Sequence, residues 1–168
     1  MPQEVRDLQG WPCAHCKSRH GRPLDFHSAK RTCQAAKVRQ CRFSVDQIRI
    51  GTCGGLGLEP GTISISEASL NGLLEPGLRS YILGKEVFRP ANFDTALCNE
   101  LHDLANELGY TAVVGKTMTA DDFYEGQGRL DGAICDYTEE DKLAFLKTAY
   151  DKGVRNIEME SLTFAAFT

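Results

Sequence analysis

"FDTALCNELHDLANELGYTAVVGKTM" (residues 93–118) contains a helix pattern followed closely by a strand pattern. Asp94 is a suitable N-cap residue, and Gly109 is typical of the position at which a helix stops. Between them, apolar residues recur at a spacing that places them on one helical face, namely Ala96, Leu97, Leu101, Leu104, Ala105 and Leu108. The β-rich segment 110–118 comes directly afterwards, so this stretch predicts one helix-to-strand unit of an α/β fold.

Helix and strand patterns alternate on both sides of this unit. We predict strands at 47–51 ("QIRIG"), 61–66 ("GTISIS") and 154–159 ("VRNIEM"), a helix at 138–153 that opens with a capping box from Thr138 to Asp141, and the start of another helix at 160–167. Such alternation indicates an α/β fold with a partly parallel sheet. Only four or five strands can be counted, against about 5–6 in an average sheet. Since the last helix is also short and apolar, we expect an incomplete domain.

Composition limits the classes of protein to which the chain can belong. The length of 168 residues suits a single domain, and the net charge of −4 argues against a nucleic-acid-binding protein. The sequence has no run of 18 apolar residues, so it does not predict a membrane-spanning helix. The polar N-terminus does not resemble a signal peptide. Seven scattered cysteines, an odd number, predict free thiols in a reducing cytosol rather than a disulfide framework.

Residues 1–46 differ from the rest of the chain. This segment holds four of the seven cysteines, three of the four histidines and about half of the basic residues. We therefore expect a basic segment outside the main fold. Its "CAHC" motif (13–16), with Cys33 and Cys41 further on, could hold zinc. The wide spacing of the second cysteine pair does not match a zinc knuckle, so a structural segment without metal is the favoured alternative.

"RIGTCGGLG" (49–57) is a glycine-rich turn after the strand predicted at 47–51. Glycines allow backbone N–H groups to approach an anion, and Arg49 and Thr52 could add a guanidinium fork and a hydroxyl donor. The turn lacks the lysine of a Walker A loop and the spacing of a dinucleotide-binding loop. The residues alone leave two alternatives, which are an anion site and a tight turn with Arg49 in a structural ion pair.

Two further stretches combine side chains that suit a nucleoside. "DDFYEGQGRLD" (121–131) offers Phe123 for stacking and Gln127 and Arg129 for hydrogen bonds to a planar ring with adjacent carbonyls. "NIEMES" (156–161) ends a strand with two carboxylates that could bind sugar hydroxyls. The first stretch could instead be a solvated charged loop. The second could instead contain a core methionine and an acid paired with a nearby arginine such as Arg155.

Three stretches together resemble the uridine phosphorylases of animals, which belong to the first nucleoside phosphorylase family. They are "RIGTCGGLGLEPGTISIS" (49–66), "GKTMTADDFYEGQGRLDGAICDYTEEDK" (115–142) and "AYDKGVRNIEMES" (149–161). The resemblance covers residues 47–168 and leaves 1–46 unmatched. It implies a partial nucleoside phosphorylase domain with a three-layer α/β/α fold and a mixed central sheet. It also implies reversible phosphorolysis of uridine to uracil and ribose 1-phosphate in pyrimidine salvage, without a metal or other cofactor.

The resemblance also implies roles for individual residues. Phosphate would be bound by Arg49 and Thr52, uracil by Phe123, Gln127 and Arg129, and ribose by Glu158, Met159 and Glu160. It further implies a cytosolic enzyme that assembles as a homodimer and needs neither nucleic acid nor a membrane as a partner. The alternative function is that of a catalytically inactive partial chain, which would act as an interaction or zinc-binding product.

Overall fold

The structure is a computed structural model, and it describes residues 46–168. The "CAHC" motif therefore lies outside the described residues. The described strands are β1 (Gly54–Gly55), β2 (Ile63–Leu70), β3 (Gly77–Ile82), β4 (Lys85–Pro90), β5 (Ala112–Thr119) and β6 (Val154–Glu158). The described helices are α1 (Thr95–Glu107), α2 (Glu139–Asp151) and α3 (Ser161–Phe167). Within residues 46–168, no helix has the length and apolar character needed to cross a membrane.

The main sheet is mixed and has the strand order β1-β6-β5-β2. Strands β2, β5 and β6 are parallel, and α1 and α2 form the two crossover connections between them. The short strand β1 pairs antiparallel with β6, with Gly54 opposite Ile157. The sheet with its crossover helices confirms the α/β fold expected from the sequence.

Helices lie on both faces of this sheet. On one face, Met118 belongs to an apolar core that includes Leu146 and Ala149 of α2. On the other face, the hydroxyl of Thr119 lies 3.0 Å from the hydroxyl of Ser161 at the start of α3. Successive residues of a strand point to opposite faces, so Met118 faces one layer of helix and Thr119 faces the other. This arrangement confirms the expected three layers.

Helix α1 begins and ends where the sequence predicts. The Asp94 carboxylate accepts a hydrogen bond from the Leu97 N–H at 2.8 Å, and Gly109 follows the helix with a φ of 79°. Ala105 of the predicted face is buried, but Cys98, which lies outside that face, is buried too, and Leu104 is 48% exposed. The helix rests on the sheet through its small residues, and the Cys98 thiol donates to the Ser66 carbonyl at 3.3 Å.

One strand predicted from the sequence is wrong, and one hairpin was not predicted. Segment 47–51 does not form a strand, and Ile50 is 92% exposed, so the burial that stabilises an alternating strand is missing there. The sequence analysis also missed the antiparallel hairpin of β3 and β4. Its two-residue turn, Leu83-Gly84, has positive φ at both positions, as a type I′ turn requires.

Replacing Thr138 with alanine is expected to lower the free energy of unfolding by about 1 kcal/mol. Thr138 caps α2 in a capping box, in which its hydroxyl accepts from the Asp141 N–H and the Asp141 carboxylate accepts from the Thr138 N–H. Thr148→Ala, in the exposed interior of the same helix, is the matched control and should not lower the urea midpoint, because alanine has the higher helix propensity. Equal midpoints for both variants would contradict the capping role.

Candidate functional site at the carboxyl ends of β5 and β6

The candidate site lies where two neighbouring parallel strands end. Thr119, the last residue of β5, pairs with Glu158, the last residue of β6. The loop with the predicted base-binding residues starts directly after β5, and the "NIEMES" carboxylates lie at the end of β6. The antiparallel pairing of β1 with β6 brings the preceding turn, and with it Arg49, to the same edge. Ligands of open α/β sheets bind at this edge of the strands.

Arg49 forms an ion pair with two carboxylates of this edge. Its Nη2 lies 2.5 Å from an oxygen of Glu160, and its Nη1 lies 3.2 Å from an oxygen of Glu158. The guanidinium folds back under Gly51, where a β-carbon would lie only 3.1 Å from Nη1. Glycine at this position therefore permits the close approach. The Arg49 side chain is 18% exposed, so part of it can be reached from solvent.

Glu158 is a buried carboxylate surrounded by donors. Its oxygens accept hydrogen bonds from the Thr119 hydroxyl at 2.8 Å and the Ser161 hydroxyl at 2.7 Å. The backbone N–H groups of Glu160 and Ser161 also donate to it, at 2.9 Å and 2.8 Å. Together with Arg49, these donors satisfy the acceptor sites of an ionised carboxylate.

Glu160 lies on the same side as Glu158, as the sequence pattern predicts, but it is more accessible. Its side chain is 26% exposed. Desolvation raises the pKa of the Glu160 carboxyl above its usual range, and the nearby Arg49 charge opposes this rise. Met159 is partly buried and packs against the apolar core. The alternative pairing with Arg155 is wrong, because that guanidinium stacks on the Tyr150 ring with its Cζ 4.1 Å from the centroid.

The turn between Arg49 and β1 contributes Thr52 and Cys53. Thr52 is exposed, so its hydroxyl is available to a ligand at the edge of the sheet. The pKa of the Cys53 thiol is raised by desolvation and by the Glu158 carboxylate, and Arg49 acts in the opposite direction. Cys53 therefore lies within the electrostatic influence of the same ion-paired group.

Asp122 organises the loop that follows β5. Its carboxylate accepts hydrogen bonds from the Tyr124 N–H at 2.6 Å and the Gly126 N–H at 2.7 Å. A single 3₁₀ turn, Glu125–Gln127, follows, and Gly128 leaves it in the left-handed conformation with a φ of 66°. The loop thus has a fixed backbone, and glycine is required where it reverses direction. This order argues against a merely solvated loop.

Arg129 lies across the two aromatic rings of the loop. Its guanidinium carbon is 4.6 Å from the Phe123 ring centroid and 5.4 Å from that of Tyr124. Asp131 holds the guanidinium in a two-point contact, with Nε–Oδ1 at 2.8 Å and Nη2–Oδ2 at 2.6 Å. Gln127 is half-buried in the adjoining turn. The loop therefore presents a planar cation, two rings and an amide together.

Lowering the pH below about 4 is expected to loosen this loop before the rest of the domain. The backbone N–H groups of Tyr124 and Gly126 hold the pKa of Asp122 below its ordinary value. The stabilisation is therefore present above the unfolded-state pKa of about 3.9 and is lost as the pH falls towards the folded-state pKa. Amide hydrogen exchange at Tyr124 and Gly126 would measure it. In Asp122→Asn the protection of these amides, measured against the intrinsic exchange rate at each pH, should lose its acid dependence. An unchanged dependence would refute the assignment.

The structure thus forms two groups from the predicted residues. Arg49, Glu158 and Glu160 are in direct contact, whereas Phe123 and Arg129 form a separate stacked group on the neighbouring strand end. Sequence reasoning missed the side chains that hold these groups in place, namely Thr119, Ser161, Asp122 and Asp131. The Asp122 contact has a local signal in an aspartate that precedes a glycine-containing turn. Ser161 lies only three positions after Glu158, whereas Thr119 reaches Glu158 from another strand and leaves no such signal.

Comparisons with known proteins show the family to which the chain belongs. A family model described as the phosphorylase superfamily matches residues 20–168, so the match begins inside the N-terminal segment that the sequence analysis left unmatched. The chain is 52% identical over 119 residues to uridine phosphorylase 1 of Mus musculus, covering 70% of this chain and 38% of that protein. It is 50% identical over 115 residues to inactive uridine phosphorylase B of Schistosoma mansoni, covering 67% and 39%.

A solved structure shows the same fold. Uridine phosphorylase from Schistosoma mansoni in complex with uracil superposes with a TM-score of 0.67 and 50% identity, covering 70% of this chain and 41% of that one. The chain therefore spans about two fifths of the length of these relatives. The family match extends over most of the 168 residues, and the fold agrees with it. The chain belongs to the phosphorylase superfamily.

Proposed function

We propose that the chain is a uridine phosphorylase, a pentosyltransferase that converts uridine and phosphate reversibly to uracil and ribose 1-phosphate. A phosphate oxygen forms a bond to the anomeric carbon of ribose while the bond from that carbon to the base nitrogen breaks. The observation that carries this proposal is the arginine–aromatic group of Arg129 and Phe123 beside the Arg49–Glu160 pair at one sheet edge. The relatives named above support it.

On the phosphate side, we assign binding to Arg49 and Thr52. The Arg49 guanidinium is a two-point donor suited to phosphate oxygens, and the exposed Thr52 hydroxyl can add a further donor. In the ligand-free protein, Arg49 contacts two carboxylates. Phosphate would take over part of the Arg49 contact with Glu160, because the Glu160 end of the pair is the more accessible one.

On the base side, we assign uracil recognition to Phe123, Gln127 and Arg129. The Gln127 amide can donate to a carbonyl and accept from the ring N–H, while Arg129 only donates. Breaking the glycosidic bond leaves negative charge on uracil, and a preorganised cation stabilises that charge as it develops. The rings of Phe123 and Tyr124 support the Arg129 guanidinium from one side.

On the sugar side, we assign Glu158, Met159 and Glu160. The partly exposed Glu160 carboxylate can accept hydrogen bonds from ribose hydroxyls, and Met159 can lie under the ring at the edge of the core. Positive charge develops on ribose as the bond breaks, and nearby phosphate and carboxylate charges favour it. Positioning of the reactants supplies the remainder of the rate increase, and the proposed mechanism uses no acid–base pair.

We further propose that the enzyme works in pyrimidine nucleoside salvage in the cytosol and assembles as a homodimer. The three cysteines of residues 46–168, Cys53, Cys98 and Cys135, are free thiols, which suits a reducing compartment. In such a dimer, the second subunit would supply further phosphate ligands. The mass of the assembly in solution tests this part of the proposal.

The proposal is tested by incubating the purified chain with uridine and inorganic phosphate and measuring uracil release. The expected result is uracil release that depends on phosphate, with no release of hypoxanthine from inosine, a purine nucleoside. Omitting phosphate separates phosphorolysis from hydrolysis. No release at any phosphate concentration would support the alternative of an inactive chain and would refute the enzymatic proposal for this chain.

A further inference from the structure

We propose that Thr119 and Ser161 are positioning residues for the phosphate side of the site. Their hydroxyls hold the buried Glu158 carboxylate, and Glu158 in turn orients the guanidinium of Arg49. The inference rests on the proposed function, since it concerns the same phosphate site. It assigns Glu158 a second role, through Arg49, beside the one proposed for it on the sugar side.

The hydrogen-bond directions follow from the chemistry of the groups. An ionised Glu158 can only accept, so the Thr119 and Ser161 hydroxyls must both donate to its Oε1 oxygen. Each hydroxyl has then used its single hydrogen. The Ser69 hydroxyl lies 2.9 Å from that of Thr119 and 2.8 Å from that of Ser161, so it can donate to either.

This cluster is buried and satisfied, which makes it rigid. Ser69, Thr119, Glu158 and Ser161 are all buried, with exposed fractions from 0% to 7%. Thr119 also accepts a hydrogen bond from the Leu162 N–H at 3.0 Å, which ties the start of α3 to β5. A fully satisfied buried polar network specifies one geometry, because every alternative leaves a polar group without a partner.

The consequence reaches Arg49 through the second oxygen of Glu158. That oxygen lies 3.2 Å from Nη1 of Arg49 and also accepts from the Glu160 N–H at 2.9 Å. The Glu158 carboxylate therefore fixes the position of the Arg49 guanidinium and also that of the Glu160 backbone. Glu160 is the second residue whose carboxylate contacts Arg49. If Glu158 rotates, Arg49 keeps only the more exposed Glu160 as a carboxylate contact from this pair. A less fixed guanidinium binds phosphate more weakly.

The test measures inorganic phosphate binding by calorimetry and the Nε–H resonance of Arg49 by NMR, assigned with Arg49→Lys. Thr119→Val and Ser161→Ala should each weaken phosphate binding by about 3- to 10-fold, as expected for one lost hydrogen bond, and should shift the Arg49 resonance. Thr119→Ser keeps the hydroxyl and should restore both. Ser66→Ala is the matched control, because its hydroxyl pairs with Thr117 at 2.5 Å on the same sheet rather than with Glu158.

The outcomes separate this inference from the proposed function. Weaker binding and a shifted Arg49 resonance in both variants, with Thr119→Ser and Ser66→Ala like the wild type, would support the inference. A wild-type chain that binds no phosphate would refute the proposed function, while shifted Arg49 resonances would still support the positioning role. An unshifted resonance, or equal weakening by Ser66→Ala, would overturn the inference. If Ser161→Ala does not fold, Thr119→Val and Thr119→Ser decide it.

Discussion

Arg129→Ala is expected to reduce the rate of uracil release by about 100- to 1000-fold, the loss typical of removing one preorganised donor from developing negative charge. The side chain is held between the aromatic rings and the Asp131 carboxylate before any ligand arrives. Little reorganisation is needed when charge builds on the base. Because the interaction strengthens in the transition state, kcat should fall more than KM rises.

Removal of Arg129 also changes the role of Asp131. In the wild type, Arg129 holds the pKa of the Asp131 carboxyl below its usual range, through two hydrogen bonds to it. Without the guanidinium, this carboxylate loses that partner near the site at which an anion would form. Asp131→Asn in the Arg129→Ala background should therefore recover part of the lost rate. A double variant no faster than the single one would show that Asp131 only orients the arginine.

Arg79→Ala is the matched control for this prediction. Arg79 also forms ion pairs with carboxylates, those of Glu75 and Glu86, and its guanidinium lies 5.8 Å from the Phe88 ring centroid. It belongs to the β3–β4 hairpin rather than to the strand ends at the site. Its replacement should leave uracil release within about twofold, as expected of an exposed surface charge. Equal losses in both variants would contradict the assigned role of Arg129.

Much of the α/β pattern could be predicted because its signals are local. The capping box of α2 and the N-cap of α1 depend on residues three positions apart, and both form as the sequence predicts. The hairpin of β3 and β4 has a weaker signal, since its turn places Leu83, rather than asparagine or aspartate, before Gly84. An apolar residue with positive φ is uncommon, so a search for typical turn residues overlooks it.

The strand predicted at 47–51 illustrates the limit of alternation as a signal. Ile48 and Ile50 alternate with polar residues, yet both are exposed, at 55% and 92%. Pairing starts only at Gly54, where β1 meets β6. Alternation shows that a segment could bury one face, but a strand also needs a partner edge within reach, and sequence alone does not specify that edge.

The composition of the site was easier to predict than its contacts. Glu158 is the last residue of β6 and Glu160 comes two positions later, so their shared side is a consequence of strand geometry. Their arginine comes from a position more than 100 residues earlier, and its identity as Arg49 rather than Arg155 depends on the pairing of β1 with β6. Long-range partners of this kind follow from topology rather than from sequence spacing.

Met118→Ala is expected to lower the free energy of unfolding by about 2–5 kcal/mol. Met118 is 2% exposed and belongs to the apolar core formed by β5, β6 and α2, where its partners include Leu146 and Ile157. Alanine removes most of the side chain from a packed interior, and the strands and helix around it cannot move together without disturbing their hydrogen bonds. The residue immediately precedes Thr119, so the same strand supports the core on one face and the site on the other.

Urea unfolding followed by circular dichroism would measure this loss, with an unchanged slope showing that the compared states are the same. Met118→Leu keeps most of the volume and should cost less than about 1.5 kcal/mol. Leu73→Ala removes an apolar side chain that is 69% exposed, and it should change stability by no more than about 0.5 kcal/mol. A loss for Leu73→Ala as large as that for Met118→Ala would contradict the position of the core. If Met118→Ala is destabilised but keeps the Arg49 resonance of the wild type, the core face of β5 supports stability independently of the Thr119 hydroxyl on its other face.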